Sequence, residues 1–131
     1  MVLMSETATE GRIGARYDLA HTSSLLWLWC APGCIAIAAS LLQGRGAISI
    51  TVAGALWAFA TAWIAVGCAI NAQHCGRVHC RIDRITFSLL SIVGLLNVIG
   101  IVSFSWNLYW VAFFVILVAS FVPELFWKRY A

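Results

Sequence analysis

The sequence predicts an all-α integral membrane protein: a four-helix bundle with both chain termini in the cytoplasm. Three observations predict this. Of the 131 residues, 63% are hydrophobic and only 10% charged, and the mean hydropathy is +0.93, a balance outside that of soluble domains. Charge-free stretches cover 22–44, 46–76 and 85–123, and one membrane crossing needs about 20 apolar residues. Finally, the basic residues fall almost entirely at alternate connections along the chain.

The first segment, 1–20, is polar and of mixed charge, with Ser5, Thr7 and Thr9 around Glu6 and Glu10. It contains no apolar run ahead of a small-residue cleavage site, so it reads as a short cytoplasmic arm rather than a cleaved signal peptide. Ile13, Tyr17 and Leu19 could let it lie on the headgroups. The first two charge-free stretches carry one span each, at about 22–43 and 48–70. The third runs for 39 residues, too long for one crossing, and Ser103-Phe104-Ser105-Trp106-Asn107 interrupts it with polar, turn-forming residues. Two further spans follow, at about 85–103 and 107–125. No second domain fits in the remainder, so 1–131 is a single transmembrane domain.

Four spans place both termini on one side. Arg12, Arg16, Arg77, Arg81, Arg84, Lys128 and Arg129 then share that side, and Arg45 alone falls opposite. Cytoplasmic loops are enriched in Lys and Arg, so the termini and the segment between spans two and three are assigned to the cytoplasm. A net charge of +3 therefore speaks for orientation in the bilayer and contact with anionic lipid, not for nucleic acid.

Small residues let helix backbones approach in lipid. Gly54, Ala58 and Ala62 recur every four residues on span two, and span three carries Gly94 and Gly100 with Asn97 between them. An amide at that depth needs a partner, which predicts an inward-facing Asn97. Trp106, Tyr109 and Trp110 read as an outer aromatic belt, and Trp127 with Tyr130 as an inner one. Glu124 is placed to pair with Lys128 one turn later.

Chemistry concentrates in sulfur and imidazole. Residues 74–80 read His-Cys-Gly-Arg-Val-His-Cys in the one long polar break between spans. Thiolate and imidazole suit soft or borderline metals, whereas hard ions require oxygen. His74, Cys75, His79 and Cys80 are accordingly candidate ligands, with Arg77, Arg81 and Arg84 expected to depress the thiol pKa. A structural zinc site would be cramped within seven residues. A redox pair lacks the Cys-x-x-Cys spacing. A transient two-thiol docking point remains.

Cys30 and Cys34 lie four apart on span one, on one helix face and about 6 Å apart in axial rise. Pro32 and Gly33 sit between them, and proline kinks a helix and frees a carbonyl. Cys68 lies near the cytoplasmic end of span two. The thiols thus descend from Cys34 and Cys30 past Cys68 to Cys75 and Cys80, as a relay would require. The plainer reading is that free cysteines are small, readily buried hydrophobes.

In these features the chain resembles the small mercuric-ion transport proteins of bacterial mercury-resistance systems. There a first helix carries a cysteine pair beside a proline, matched by Cys30, Cys34 and Pro32, and a cytoplasmic segment carries a second pair, matched by Cys75 and Cys80. The resemblance implies uptake of Hg(II) by thiol-to-thiol transfer in the bacterial inner membrane and delivery to a cytoplasmic reductase. The first pair here is Cys-x-x-x-Cys where several members have adjacent cysteines, and His74 and His79 have no counterpart in the pattern, which leaves Cu(I) as a competing cargo.

The expected function is therefore binding of a soft metal ion, Hg(II) or Cu(I), as transient cargo with no permanent cofactor. The expected partners are the lipid bilayer and a cytoplasmic metal acceptor, with no nucleic acid. Neither Ser-x-x-Lys, His-Glu-x-x-His nor paired carboxylates occur in the spans, so no enzyme is expected. The alternatives are a small accessory subunit of a larger membrane complex and, less well supported, a membrane thiol oxidoreductase.

Overall fold

A computed structural model describes residues 26–75 and 78–126, apart from the side chains at 26, 74, 75, 124 and 125. Four α-helices follow a π-helical turn, Leu26–Cys30. They are α1 (Ala31–Gly44), α2 (Ile50–Cys75), α3 (Val78–Val98) and α4 (Trp106–Phe126). No strand occurs among the described residues. Among the described helices the hairpin of α2 and α3 packs most extensively, with α1 laid on α2 and α4 on α3.

By length and composition three helical segments can cross a membrane: Trp27–Gly44, Ile50–Gln73 and Trp106–Pro123. α3 differs because Arg81, Asp83 and Arg84 occupy its first turns. Its apolar remainder, 85–98, is 14 residues long and reaches about 21 Å, short of a hydrocarbon core of roughly 30 Å.

The predicted third span, 85–103, differs from the observed helix at both ends. α3 stops at Val98 because Gly100 takes a left-handed φ of 79°. The Gly100 and Ile101 amides then return to the carbonyls of Asn97 and Leu96, the paired bonds of a glycine-terminated helix. Gly46, at φ 72°, ends α1 in the same way, its amide and that of Ala47 bonding Gln43 and Leu42. Ser49 and Ser105 accept from the Val52 and Asn107 amides at 3.2 Å each, and so start α2 and α4.

Asn97 plays a different part from the one its position suggests. Its amide nitrogen donates to the Phe104 carbonyl at 3.3 Å and its oxygen accepts from the Phe104 amide at 3.1 Å. It clamps the connection between α3 and α4 and, among the described residues, bonds no neighbouring helix.

The expected seam residues do meet other helices. A side chain at Gly94 would press on the Tyr109 ring at 2.9 Å and Ala58 Cβ at 3.2 Å. One at Gly54 would collide with the Trp106 indole. Ala58 is fully buried, as is Tyr109 at 1% exposure. Tyr109 is therefore a core residue rather than a belt anchor.

Its hydroxyl lies 2.7 Å from Thr61 Oγ1. Thr61 spends its one proton on the Ala58 carbonyl at 2.9 Å, so Tyr109 is the donor. Ser91 Oγ donates to the same carbonyl at 2.8 Å. A single chain of hydroxyls thus joins α4, α2 and α3 at Ala58. Such bonds in membrane proteins average about 0.6 kcal/mol and reach about 1.7. Tyr109→Phe is expected to lower stability within that range, read from denaturant unfolding in detergent.

Trp57 sets the other junction. Its indole nitrogen donates to Ser40 Oγ at 3.1 Å and Ala36 O at 3.3 Å, tying α2 to α1. Its ring meets Trp106 and Trp110 of α4 edge-on at 5.2 and 5.6 Å. α1 and α4 do not pack extensively against each other, so a cleft opens between them. Many large apolar side chains, including Trp27, Phe59 and Val118, face outward, as a hydrocarbon solvent permits and water discourages.

Candidate soft-metal site

Most of the polar stretch at 71–84 is helical rather than a loop. α2 continues to Cys75 and α3 begins at Val78, because a helix satisfies its own backbone groups whatever the polarity of its side chains. Residues 76–77 lie outside the described part, so Arg77 does too. His74 and Cys75 belong to the last turn of α2, with their side chains outside the described part. His79 and Cys80 open α3.

That helical register decides which candidates meet. Cys68, Ala72 and Cys80 form one buried cluster between α2 and α3, and both thiols are fully buried. Cys68 and Cys80 thus pack together on the facing sides of the two helices. His79 Nε2 lies 3.3 Å from Cys80 Sγ, and Asn71 Nδ2 donates to the same sulfur at 3.4 Å. The His79 ring is stacked on Phe121 of α4, centroids 4.4 Å apart, which fixes its plane. Asp83, one turn beyond His79, is also buried.

The donors around Cys80 favour its thiolate. The Cys68 thiol contributes most, burial opposes it, and His79 and Asn71 add to the lowering, so Cys80 is held below the ordinary thiol range. This differs in cause from the expected effect of the arginines. Arg81 and Arg84 are exposed on the outer side of α3. Neighbours in sequence point away from the sulfur once the segment is a helix.

Cys30 and Cys34 are placed otherwise. Both are exposed, while Pro32 between them is fully buried. They share a face, as the spacing of four requires, and that face is the outside of the bundle. Pro32 cannot donate to the carbonyl four residues back, and the chain widens into the π turn just before it. Among the described residues, no three His, Cys, Asp or Glu side chains are grouped to hold a metal together. Two sulfurs suffice for a linear ion, and Cys68 with Cys80 is the one thiol pair the fold brings into contact among those described.

Three residues near this pair were not foreseen: Trp29, Asn71 and Asp83. Together with His79 they line a cavity of about 380 Å³. A second, almost wholly apolar cavity of about 400 Å³ runs from Ser40 and Trp57 along the gap between α1 and α4. Gly33, Ile64 and Phe113 line both, so the two adjoin. The signal for Asn71 and Asp83 lay in helical spacing: Asn71 is three residues beyond Cys68, and Asp83 four beyond His79. It is readable only once the stretch is known to be helix.

No protein family model, no characterised protein and no solved structure matches this chain.

Proposed function

We propose that this protein is a membrane-embedded carrier of a soft metal ion, Hg(II) or Cu(I), held by the two sulfurs of Cys68 and Cys80. The observation that carries the reading is the buried packing of two thiols, Cys68 and Cys80, at the α2–α3 hairpin. Thiolate selects soft ions, and two sulfurs satisfy the linear geometry such ions accept. A binding thiol gives up its proton when the metal arrives, and His79 Nε2 at 3.3 Å is positioned to take it.

In this reading the basic residues hold the hairpin end in the cytoplasm of a bacterial cell, and the ion leaves inward by exchange to a further thiol, Cys75, and then to an acceptor protein. Cys30 and Cys34, exposed on α1, would collect the ion at the bundle surface rather than inside it. This keeps the thiol-exchange logic of the mercuric-ion transporters while moving the principal pair. The second reading, an accessory subunit of a larger membrane complex, draws support from the open gap between α1 and α4, which a partner helix could fill.

Titration of the purified protein with Cu(I) or Hg(II) tests the proposal. One tightly held ion per chain is expected, lost in a Cys68→Ser, Cys80→Ser double variant. Equal binding by that variant and the wild type would exclude this site, and no binding by either would favour the subunit reading.

A further inference from the structure

We propose that Cys68 and Cys80 are also a site of reversible oxidation, closing an interhelical disulfide when the protein meets a peroxide. This does not rest on the metal-carrier reading, because it needs only the placement of the two sulfurs. A disulfide requires side chains that point at each other across a short gap. These two thiols arise on neighbouring helices and pack in one fully buried cluster. Cys30 and Cys34 are exposed on α1 and belong to no such cluster.

The surroundings distinguish the roles of the two sulfurs. Cys80 is approached by two nitrogens, His79 Nε2 at 3.3 Å and Asn71 Nδ2 at 3.4 Å. They orient its sulfur. His79 and Asn71 also form part of the wall of the 380 Å³ cavity. An oxidant the size of hydrogen peroxide entering that cavity is thus one side-chain layer from Cys80. Cys80 is the attacking sulfur and Cys68 the resolving one.

The chemistry balances as follows. The Cys80 sulfur attacks one peroxide oxygen, the O–O bond breaks, and hydroxide leaves to be protonated to water. Cys80 then carries a sulfenic acid. The Cys68 sulfur displaces that hydroxyl, the S–O bond breaks, and the Cys68 proton leaves with it as a second water. Two thiols lose two electrons and one peroxide gains them. A thiol reductant reverses the change by exchange. Transient disulfides of this kind are the form met on reducing faces of a membrane. While it lasts, neither sulfur can bind a metal.

The experiment treats the full-length protein in detergent with hydrogen peroxide, alkylates the remaining thiols, and maps the peptides by mass spectrometry with and without dithiothreitol. The expected result is loss of two free thiols per chain, a Cys68–Cys80 cross-linked peptide, and recovery of both thiols with dithiothreitol. In Cys68→Ser the reaction should stop at Cys80 sulfenic acid, captured by dimedone. A cross-link that joins Cys80 to Cys75 instead would overturn the proposal, as would unchanged alkylation of Cys68 and Cys80 in peroxide-treated wild type. A Cys68–Cys80 cross-link in a protein that binds no metal would sink the carrier reading alone, and metal binding without the cross-link would sink this one alone.

Discussion

Cys80→Ser is expected to weaken Cu(I) or Hg(II) binding by more than about 100-fold, while Cys30→Ser with Cys34→Ser leaves it unchanged. Removing even an outer partner of a metal ligand typically costs about 10–100-fold, and here a ligating sulfur itself becomes a hard oxygen. Serine is close to cysteine in size, so the packing of the pair between α2 and α3 is retained. The exposed thiols of α1 lie outside the buried cluster and would contribute no bond to an ion held there. His79→Ala should fall between the two, since its nitrogen approaches one of the sulfurs without replacing it. Competition against a chelator of known affinity measures all three variants. Equal affinity in Cys80→Ser and wild type, or a loss confined to the α1 variants, would place the ion elsewhere.

Gly94→Leu is expected to lower stability by about 1–3 kcal/mol or more, the usual range for overfilling a packed interior. Even a Cβ at Gly94 lies 2.9 Å from the Tyr109 ring and 3.2 Å from Ala58 Cβ. Neither neighbour can easily retreat. Tyr109 is pinned by its bond to Thr61 at 2.7 Å, and Ala58 is fixed to the backbone of α2, where its carbonyl already holds Ser91 and Thr61. Three helices converge at that point, so a displaced Tyr109 also disturbs the seating of α4. Gly33→Ala is the matched control, because nothing lies within 4 Å of the added carbon. It should be neutral or stabilising, as alanine is the better helix former. Unfolding titrations in detergent followed by circular dichroism compare the two, and equal stability would refute the close-packed junction.

Much of the architecture was legible from composition alone. Apolar runs of membrane-spanning length and the polar interruption near 103–107 anticipated helices in the observed order, with α4 beginning one residue from its expected start. The seam glycines were legible too, since only small residues allow helices in lipid to approach closely. The ends of α3 were not. Polarity marks where a chain leaves the hydrocarbon, whereas a helix ends where its backbone bonds are capped. At Val98 this depends on Gly100 and on the clamp of Asn97 over Phe104. Sequence assigns Tyr109 to the outer belt for a related reason: an aromatic near a helix end reads as an interfacial anchor until the hydroxyl it bonds is seen.

The candidate site divides in the same manner. That sulfur and imidazole are the reactive groups of this chain followed from residue types and their rarity among apolar neighbours. Which sulfurs pair could not follow, because pairing is a property of two helices and not of one. Spacing of four placed Cys30 and Cys34 on a shared face but left undecided whether that face turned inward. Packing turned Pro32 in and both thiols out. Cys68 and Cys80, twelve residues apart, meet because α2 and α3 fold back on each other with only 76–77 between them. A chain's chemistry is set by its side chains one at a time, and its sites by which helix faces are buried against each other, which no local pattern encodes.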